Sequence, residues 1–359
     1  MPTTALEKQE FTREELEQLA DKVYNFTELF CFTEPGTGFY PYQTNLAKAI
    51  IRDVLGNLGN TLTGLFARQS GKSETVADVA AALMVILPKL ARLRDEEGKR
   101  VFPALFKFRN GYYVGVFAPS NLQAGTTYKR IRDRLTSAHA KVFLQSSEFA
   151  LEGYTSLWPP VSNTGTYFEL NNGSLCMQMT AEKTAKIESK TYHLLLFDES
   201  QDLDAFVVGK SIRPMGASTN ASSVATGTPG FTKGFFYKRI KDNQLEELTL
   251  RRSNRHLQPQ LHFEYDYKEV QKHNPDYKKH IIQAKKELGE ESDEFQMAYC
   301  LKWLLERGMA VPEELFDELS LTNKGITSSN MRDELVAGLD WGKAEDSTVL
   351  TIGKPLWDQ

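Results

Sequence analysis

Residues 67–73 read Ala67-Arg68-Gln69-Ser70-Gly71-Lys72-Ser73, between an apolar run from Leu62 to Ala67 and an Ala/Val-rich helix former from Glu74 to Leu87. Strand, loop, helix is the setting in which Gly-Lys-Ser cradles phosphate. Backbone N–H groups and the positive end of the following helix would hold the phosphates. Lys72 would reach the β- and γ-phosphates, and the Ser73 hydroxyl would ligate Mg²⁺. Gly71 lets the backbone approach the phosphate where a Cβ would obstruct it. The loop departs from G-x-x-x-x-G-K-[ST], because Phe66 stands where the first glycine is expected and Arg68 is built into the loop.

With 359 residues and a net charge of −4, the chain is long enough for two domains and is not a protein that coats nucleic acid by bulk charge. Local basic patches remain open to it. No apolar run reaches the ~20 residues that cross a bilayer. The acidic N-terminus, with Glu7, Glu10, Glu14, Glu15 and Glu17, lacks the apolar core of a signal peptide. Cys31, Cys176 and Cys300 show no metal-ligand spacing, which suits a reducing cytoplasm.

Outward from the loop, the sequence predicts strands at Tyr112–Ala118, His193–Phe197 and Ser222–Thr226, with helices at 11–30, from Thr44 to about Leu58, and from Gln123 to Ala138. Tyr167–Thr180 reads as a hairpin turning at Asn171-Asn172-Gly173-Ser174. Residues 88–111 read as an insertion or a helical excursion. Strands alternating with helices imply an α/β fold, with a mostly parallel sheet covered by helices on both faces. Past Gly230 the chain is polar and helical, with one plausible strand at Leu245–Leu250. Residues 320–331 look like a linker, and a new strand opens at Leu335–Trp341. The expected domains are 1–230 (N-terminal helices and nucleotide-binding core), 231–334 (lid and linker) and 335–359 (the start of a further domain).

Leu194-Leu195-Leu196-Phe197-Asp198-Glu199 is a hydrophobic strand ending in two acids, expected beside the phosphate-loop strand with its carboxyl end at the same crevice. Asp198 would hold Mg²⁺ and Glu199 would orient and deprotonate the attacking water. In Ser222-Ser223-Val224-Ala225-Thr226-Gly227-Thr228-Pro229, Thr226 and Thr228 can sense a γ-phosphate; an ordinary strand and turn would read the same way. Gln43 could bind an adenine edge with Tyr40 or Tyr42 stacked on the ring, or be a surface glutamine beside core tyrosines.

These pieces in this order resemble the large terminase subunit of tailed bacteriophages. The match covers most of the chain: Arg68 to Ser73 for its phosphate loop, Ala118-Pro119-Ser120 and Gln123-Ala124 for the next turn and helix, Leu194 to Glu199 for its acidic strand, and Thr226 to Pro229 for its coupling motif. Glu294-Phe295-Gln296-Met297-Ala298-Tyr299 is similar to its Glu-Phe helix. Gly338-Leu339-Asp340-Trp341-Gly342-Lys343 with Asp346-Ser347-Thr348 resembles the first hairpin of its ribonuclease H-like nuclease.

The resemblance implies a P-loop NTPase of the ASCE type with a small helical lid and the start of a ribonuclease H-like domain. It implies an ATP- and Mg²⁺-dependent motor that moves double-stranded DNA into proheads. Arg68, Gln69, Ser70, Gly71, Lys72 and Ser73 would form the nucleotide loop, and Arg68 would neutralise developing charge. Asp340 would be the first nuclease metal ligand, with the remaining carboxylates beyond Gln359, so two-metal cutting is expected only of a complete protein. Implied partners are the portal protein, the small terminase subunit and other copies in a ring, in the host cytoplasm and away from membranes. Arg130, Arg132 and Arg134 are candidates for an arginine acting between subunits. The alternative is a helicase-like (superfamily 2) DNA translocase, because Asp198-Glu199-Ser200-Gln201 and Val224-Ala225-Thr226 nearly match helicase motifs. Such an enzyme needs a second nucleotide-fold lobe.

Overall fold

The computed structural model describes residues 10–34, 37–150, 155–182, 191–230, 234–253, 260–304, 336–340 and 349–353. The chain divides into two compact units, Met1–Leu304 and Leu305–Gln359. In the second, β9 (Val336–Asp340) and β10 (Val349–Gly353) form an antiparallel hairpin in which Asp340 is paired with Val349. The linker residues 320–331 and Asp346 lie outside the described residues.

In the first unit, α1 (Arg13–Cys31) starts from a capping box in which Thr12 and Glu15 exchange hydrogen bonds. Next, α2 (Pro41–Leu55) begins three residues before the expected Thr44. Pro41 sits at the first helical position, where its missing N–H costs nothing, and Gln43 reaches back to the Tyr40 N–H. After β1 (Thr61–Phe66), α3 (Lys72–Arg92) runs through Pro88 without ending. A proline cannot donate to the carbonyl four residues back. Here that carbonyl, Met84 O, accepts from Asn172 Nδ2 at 2.9 Å and Ser174 Oγ at 2.7 Å, from the buried turn of the predicted hairpin. Residues 88–111 are not one long helix. They comprise the end of α3, a bridge between Arg94 and Arg100, and a 3-10 helix at Pro103–Phe108.

Then come β2 (Tyr113–Ala118), α4 (Asn121–Thr136), α5 (Ala138–Leu144), β3 (Ser162–Asn163), β4 (Tyr167–Glu169), β5 (Leu175–Thr180), β6 (Leu194–Phe197), the single turn α6 (Ala205–Val207) and β7 (Ser222–Gly227). Past Gly230 lie α7 (Phe235–Ser253), β8 (His262–Tyr265), α8 (Tyr267–His273), α9 (Pro275–Leu288) and α10 (Asp293–Ala298). Residues 245–250, expected as a strand, belong to α7. Its buried face is Phe235, Phe236, Ile240 and Asn243, while Leu245 and Leu248 point to solvent. The strand of this region is β8, which the sequence reading missed.

The strands form one sheet in the order β3-β4-β5-β2-β6-β7-β1-β8, parallel from β5 across to β8 and antiparallel at β3-β4-β5. The middle strands β2, β6, β7 and β1 are buried almost throughout, which is why each reads as an unbroken apolar or small-residue run. One expectation is corrected here. The acidic strand β6 does not lie beside β1, because β7 pairs with both, Val224 standing opposite Leu196 on one side and Leu62 on the other. The small residues of β7 let it fill this central place. Among the described residues no helix is long and apolar enough to cross a membrane.

Candidate active site

Strands β1, β6 and β7 are parallel neighbours, so their carboxyl ends open onto one crevice, where ligands of α/β sheets bind. At the end of β1 the chain turns through Gln69 (φ 60°) and Gly71 (φ 85°) before α3 starts at Lys72. The free N–H groups of the first turn of α3 therefore face the loop. A Cβ at Gly71 would collide with Gln43 Nε2 as well as straining the left-handed backbone. Phe66, in the place of a first glycine, is a core residue of β1, with its ring 5.1 Å from Tyr265 and 6.0 Å from Tyr42.

The loop is held from two sides. Tyr42 OH donates to Ser70 O at 2.9 Å, and Gln43 Nε2 lies 3.4 Å from the same oxygen. From beyond Gly230, Tyr265 O accepts from Ala67 N at 3.0 Å, Ala298 O accepts from Arg68 N at 2.8 Å, and Tyr277 OH donates to Arg68 O at 2.9 Å. The side chains of Arg68 and Gln69 are left exposed, while Ser70 Oγ is buried with no hydrogen-bond partner. Tyr42 is buried under the loop and Tyr40 is half-buried with its ring stacked on it at 5.8 Å. The Gln43 amide caps α2 and reaches the loop carbonyls.

Across the crevice, Asp198 is 6% exposed and accepts from every side. Ser73 Oγ and Thr226 Oγ1 each lie 3.3 Å from its Oδ1, Glu199 N donates to it at 3.0 Å, and Thr127 of α4 donates to Oδ2. Glu199 sits in the left-handed region at φ 46°, a conformation that strains a residue with a Cβ and is typical of functional sites. Its Oε1 is 3.8 Å from Lys72 Nζ and its Oε2 accepts from Gln201 Nε2 at 2.8 Å. Gln201 Oε1 in turn accepts from the Thr228 N–H at 3.3 Å.

Lys72, Ser73, Asp198, Glu199, Thr226 and Thr228 are thus brought together. Thr127 and Gln201 were missed as site residues. In the sequence Gln201 stands out only as part of a near-match to a helicase motif, and Thr127 sits in a polar helix with nothing to mark it. The basic helix α4 spends its arginines within the molecule. Arg130 pairs with Glu74, Arg132 lies 3.2 Å from Asp133, and Arg134 binds Asp78 Oδ1 at 2.6 Å, Glu74 Oε1 at 3.0 Å and Cys31 O at 2.6 Å. Asp340 belongs to the other unit, as the last residue of β9.

No protein-family model and no curated protein matches this sequence. Among solved structures, the large terminase of bacteriophage HK97 is similar with a TM-score of 0.51 at 14% sequence identity, over 93% of this chain and 64% of that chain. The ATPase domain of the Thermus phage P74-26 large terminase has a TM-score of 0.49 at 16% identity, over 79% of this chain and 98% of that chain. A large terminase from a thermophilic bacteriophage, solved with ADP, has a TM-score of 0.43 at 10% identity, over 88% of this chain and 64% of that chain. At 14% identity the likeness to the HK97 protein is one of fold. In its mostly parallel eight-stranded sheet and the helices around it, the chain has the fold of the bacteriophage large terminase.

Proposed function

We propose that this chain is the ATP-hydrolysing motor of a large terminase, driving double-stranded DNA into proheads. The observation that carries the proposal is the convergence of Lys72, Ser73, Asp198, Glu199 and Thr226 at the ends of three adjacent strands. ATP would lie with its phosphates over the N-terminus of α3, bound by the loop from Arg68 to Ser73. Ser70 Oγ, a buried hydroxyl without a partner, is suited to donate to a phosphate oxygen. For Gln43 we propose two partners, the loop carbonyls it now reaches and the edge of the adenine base.

The donor set fits Mg²⁺. Ser73 Oγ and the Asp198 carboxylate are hard oxygen ligands lying 3.3 Å apart, and among the described residues no cluster of three or more His, Cys, Asp or Glu offers a self-sufficient cage. Mg²⁺ typically takes one or two protein ligands and completes its shell with phosphate and water. When bound, it would neutralise charge on the β- and γ-phosphates. Glu199 takes the proton from water as the water oxygen bonds to the γ-phosphorus, and the bond from that phosphorus to the ADP oxygen breaks. Lys72 and Arg68 balance the charge that spreads over the phosphoryl oxygens. Thr226 and Thr228, at the end of β7, report the change.

Residues 231–334 act in this reading as lid and linker, and residues 335–359 begin the nuclease, with Asp340 a metal ligand of the complete protein. The partners are double-stranded DNA, the portal protein, the small terminase subunit and further copies in a ring, in the host cytoplasm. A helicase-like translocase is less well supported. Among the described residues the chain beyond Gly230 adds one edge strand to the first sheet and one hairpin, where a helicase needs a second nucleotide-fold lobe. The test is DNA packaging into purified proheads by the complete protein. Glu199→Ala is expected to abolish packaging and to slow hydrolysis by about 10²–10⁴-fold. Packaging at the wild-type rate would remove Glu199 from the mechanism.

A further inference from the structure

We infer that Gln201 is the positioning residue through which the end of β7 sets the orientation of Glu199. The inference rests on the reading of Glu199 as the water-activating base. A single side-chain amide spans the two elements, with its Nε2 donating to Glu199 Oε2 at 2.8 Å and its Oε1 accepting from the Thr228 backbone N–H at 3.3 Å. The partners fix which way the amide points. A carboxylate can only accept and a backbone N–H can only donate, so the site needs a donor at one end and an acceptor at the other. Glutamate in that place would repel Glu199, and methionine, of similar length, would bond neither partner.

The surroundings are built for this side chain. A Cβ at Gly227 would collide with Gln201 Oε1, so the glycine of Thr226-Gly227-Thr228 makes room for the amide as well as ending the strand. Gln201 also faces a cavity of about 450 Å³ between Pro119, Asp204 and Gly234, which gives it space to move. Among the described residues Glu199 is held on its other oxygen by Lys72, at 3.8 Å, a contact that Lys72 gives up on turning to phosphate. The Gln201 bond is then what remains to aim the carboxylate. A shift of Thr228 that pulls on Gln201 would turn Glu199 toward or away from the water. The Glu199 backbone is also tied to that strand, because its N–H and Thr226 Oγ1 share Asp198 Oδ1, but among the described residues Gln201 is the side chain that links the Glu199 carboxylate to it.

The test is single-turnover ATP hydrolysis by the full chain in excess over ATP, which reads the chemical step even where steady-state turnover is slow. ATP affinity and thermal unfolding are measured alongside. Gln201→Met and Gln201→Ala are expected to slow the step about 10-fold or more with ATP affinity and Tm unchanged. Gln201→Glu should be slower still, and Gln201→Asn should recover part of the rate. Gly227→Ala should mimic Gln201→Ala, and the double variant should be no slower than either single one, as for residues acting as one unit. A wild-type rate in Gln201→Met and Gln201→Ala overturns the inference. So does a loss that appears equally in affinity and Tm, because that describes a structural residue. Glu199→Gln serves as the reference. If it hydrolyses at the wild-type rate, the reading of Glu199 fails first, and the inference falls with it.

Discussion

Glu199 carries a backbone conformation that works against its own side chain. At φ 46° and ψ 49° it is left-handed, which costs a residue with a Cβ about 1–2 kcal/mol. The conformation follows from position, since the chain must leave β6 and turn at once so that Asp198 and Glu199 face the same crevice. Comparing Glu199→Gly with Glu199→Ala isolates this cost, because both lose the same contacts to Lys72 and Gln201. The glycine variant should be more stable in urea by about 1 kcal/mol, the reverse of the usual preference of alanine over glycine. Equal stabilities, or a more stable alanine variant, would show that no strain is stored there. A related expectation concerns Gly71, where φ is 85° and Gln43 blocks the space of a Cβ. Gly71→Ala should weaken ATP binding at least about 10-fold, measured by titration calorimetry, through displacement of the loop. Unchanged affinity would mean that the loop tolerates the shift.

Between elements, Arg134 joins α4 to α3 and to the end of α1 through Asp78, Glu74 and Cys31 O. The Asp78 side chain is 1% exposed, and burial raises its carboxyl well above the usual range, so the guanidinium is what makes a charge tolerable there. Arg134→Ala should cost about 3–5 kcal/mol in urea unfolding, whereas Arg134→Met with Asp78→Leu should recover most of it. If the double variant is as unstable as the single one, the pair does more than balance its own charges. A second element-level effect comes from His193, just before β6, whose Nδ1 accepts from the Tyr113 N–H at 3.0 Å. Burial, with the charge of Lys107 adding to it, pushes its pKa down from 6.5 to about 4. Below 6.5 the unfolded chain takes up a proton that the folded one refuses, so His193 adds nothing to pH dependence above that value. It destabilises progressively between about 6.5 and 4, by up to roughly 3 kcal/mol. His193→Gln, which can still accept from Tyr113, should flatten the fall of Tm between pH 7 and 5. An equally steep fall would assign the acid sensitivity to other groups.

At the scale of the whole chain, the sheet was legible where it is buried on both faces. The strands β1, β2, β6 and β7 lie within a residue of their predicted bounds, because apolar runs closed by turn residues have few other readings. The order of those strands was not legible, since the interposed β7 is a matter of tertiary pairing. Nor was β8, whose four residues His262–Tyr265, two of them buried, are too few to show a period. Of the candidate site, the loop and the acid pair could be picked out because their pattern is local in sequence. Thr127 and Gln201 could not, because their roles come from elements meeting in space. The same holds for the three hydrogen bonds by which Tyr265, Tyr277 and Ala298 grip Ala67 and Arg68. Asn243, fully buried on α7, likewise donates to Thr61 O and to Leu261 O, tying this region to the sheet. The segment beyond Gly230 is therefore part of what shapes the loop after β1. A chain ending at Leu304 should keep one cooperative thermal transition and bind ATP as the full chain does. A chain ending at Gly230 should lose both, because β1 would present an unpaired edge and the loop would lose its grip on one side. Circular dichroism melts and ATP titrations of the two truncations decide the matter: tight ATP binding by residues 1–230 would show that the loop forms without its outer support.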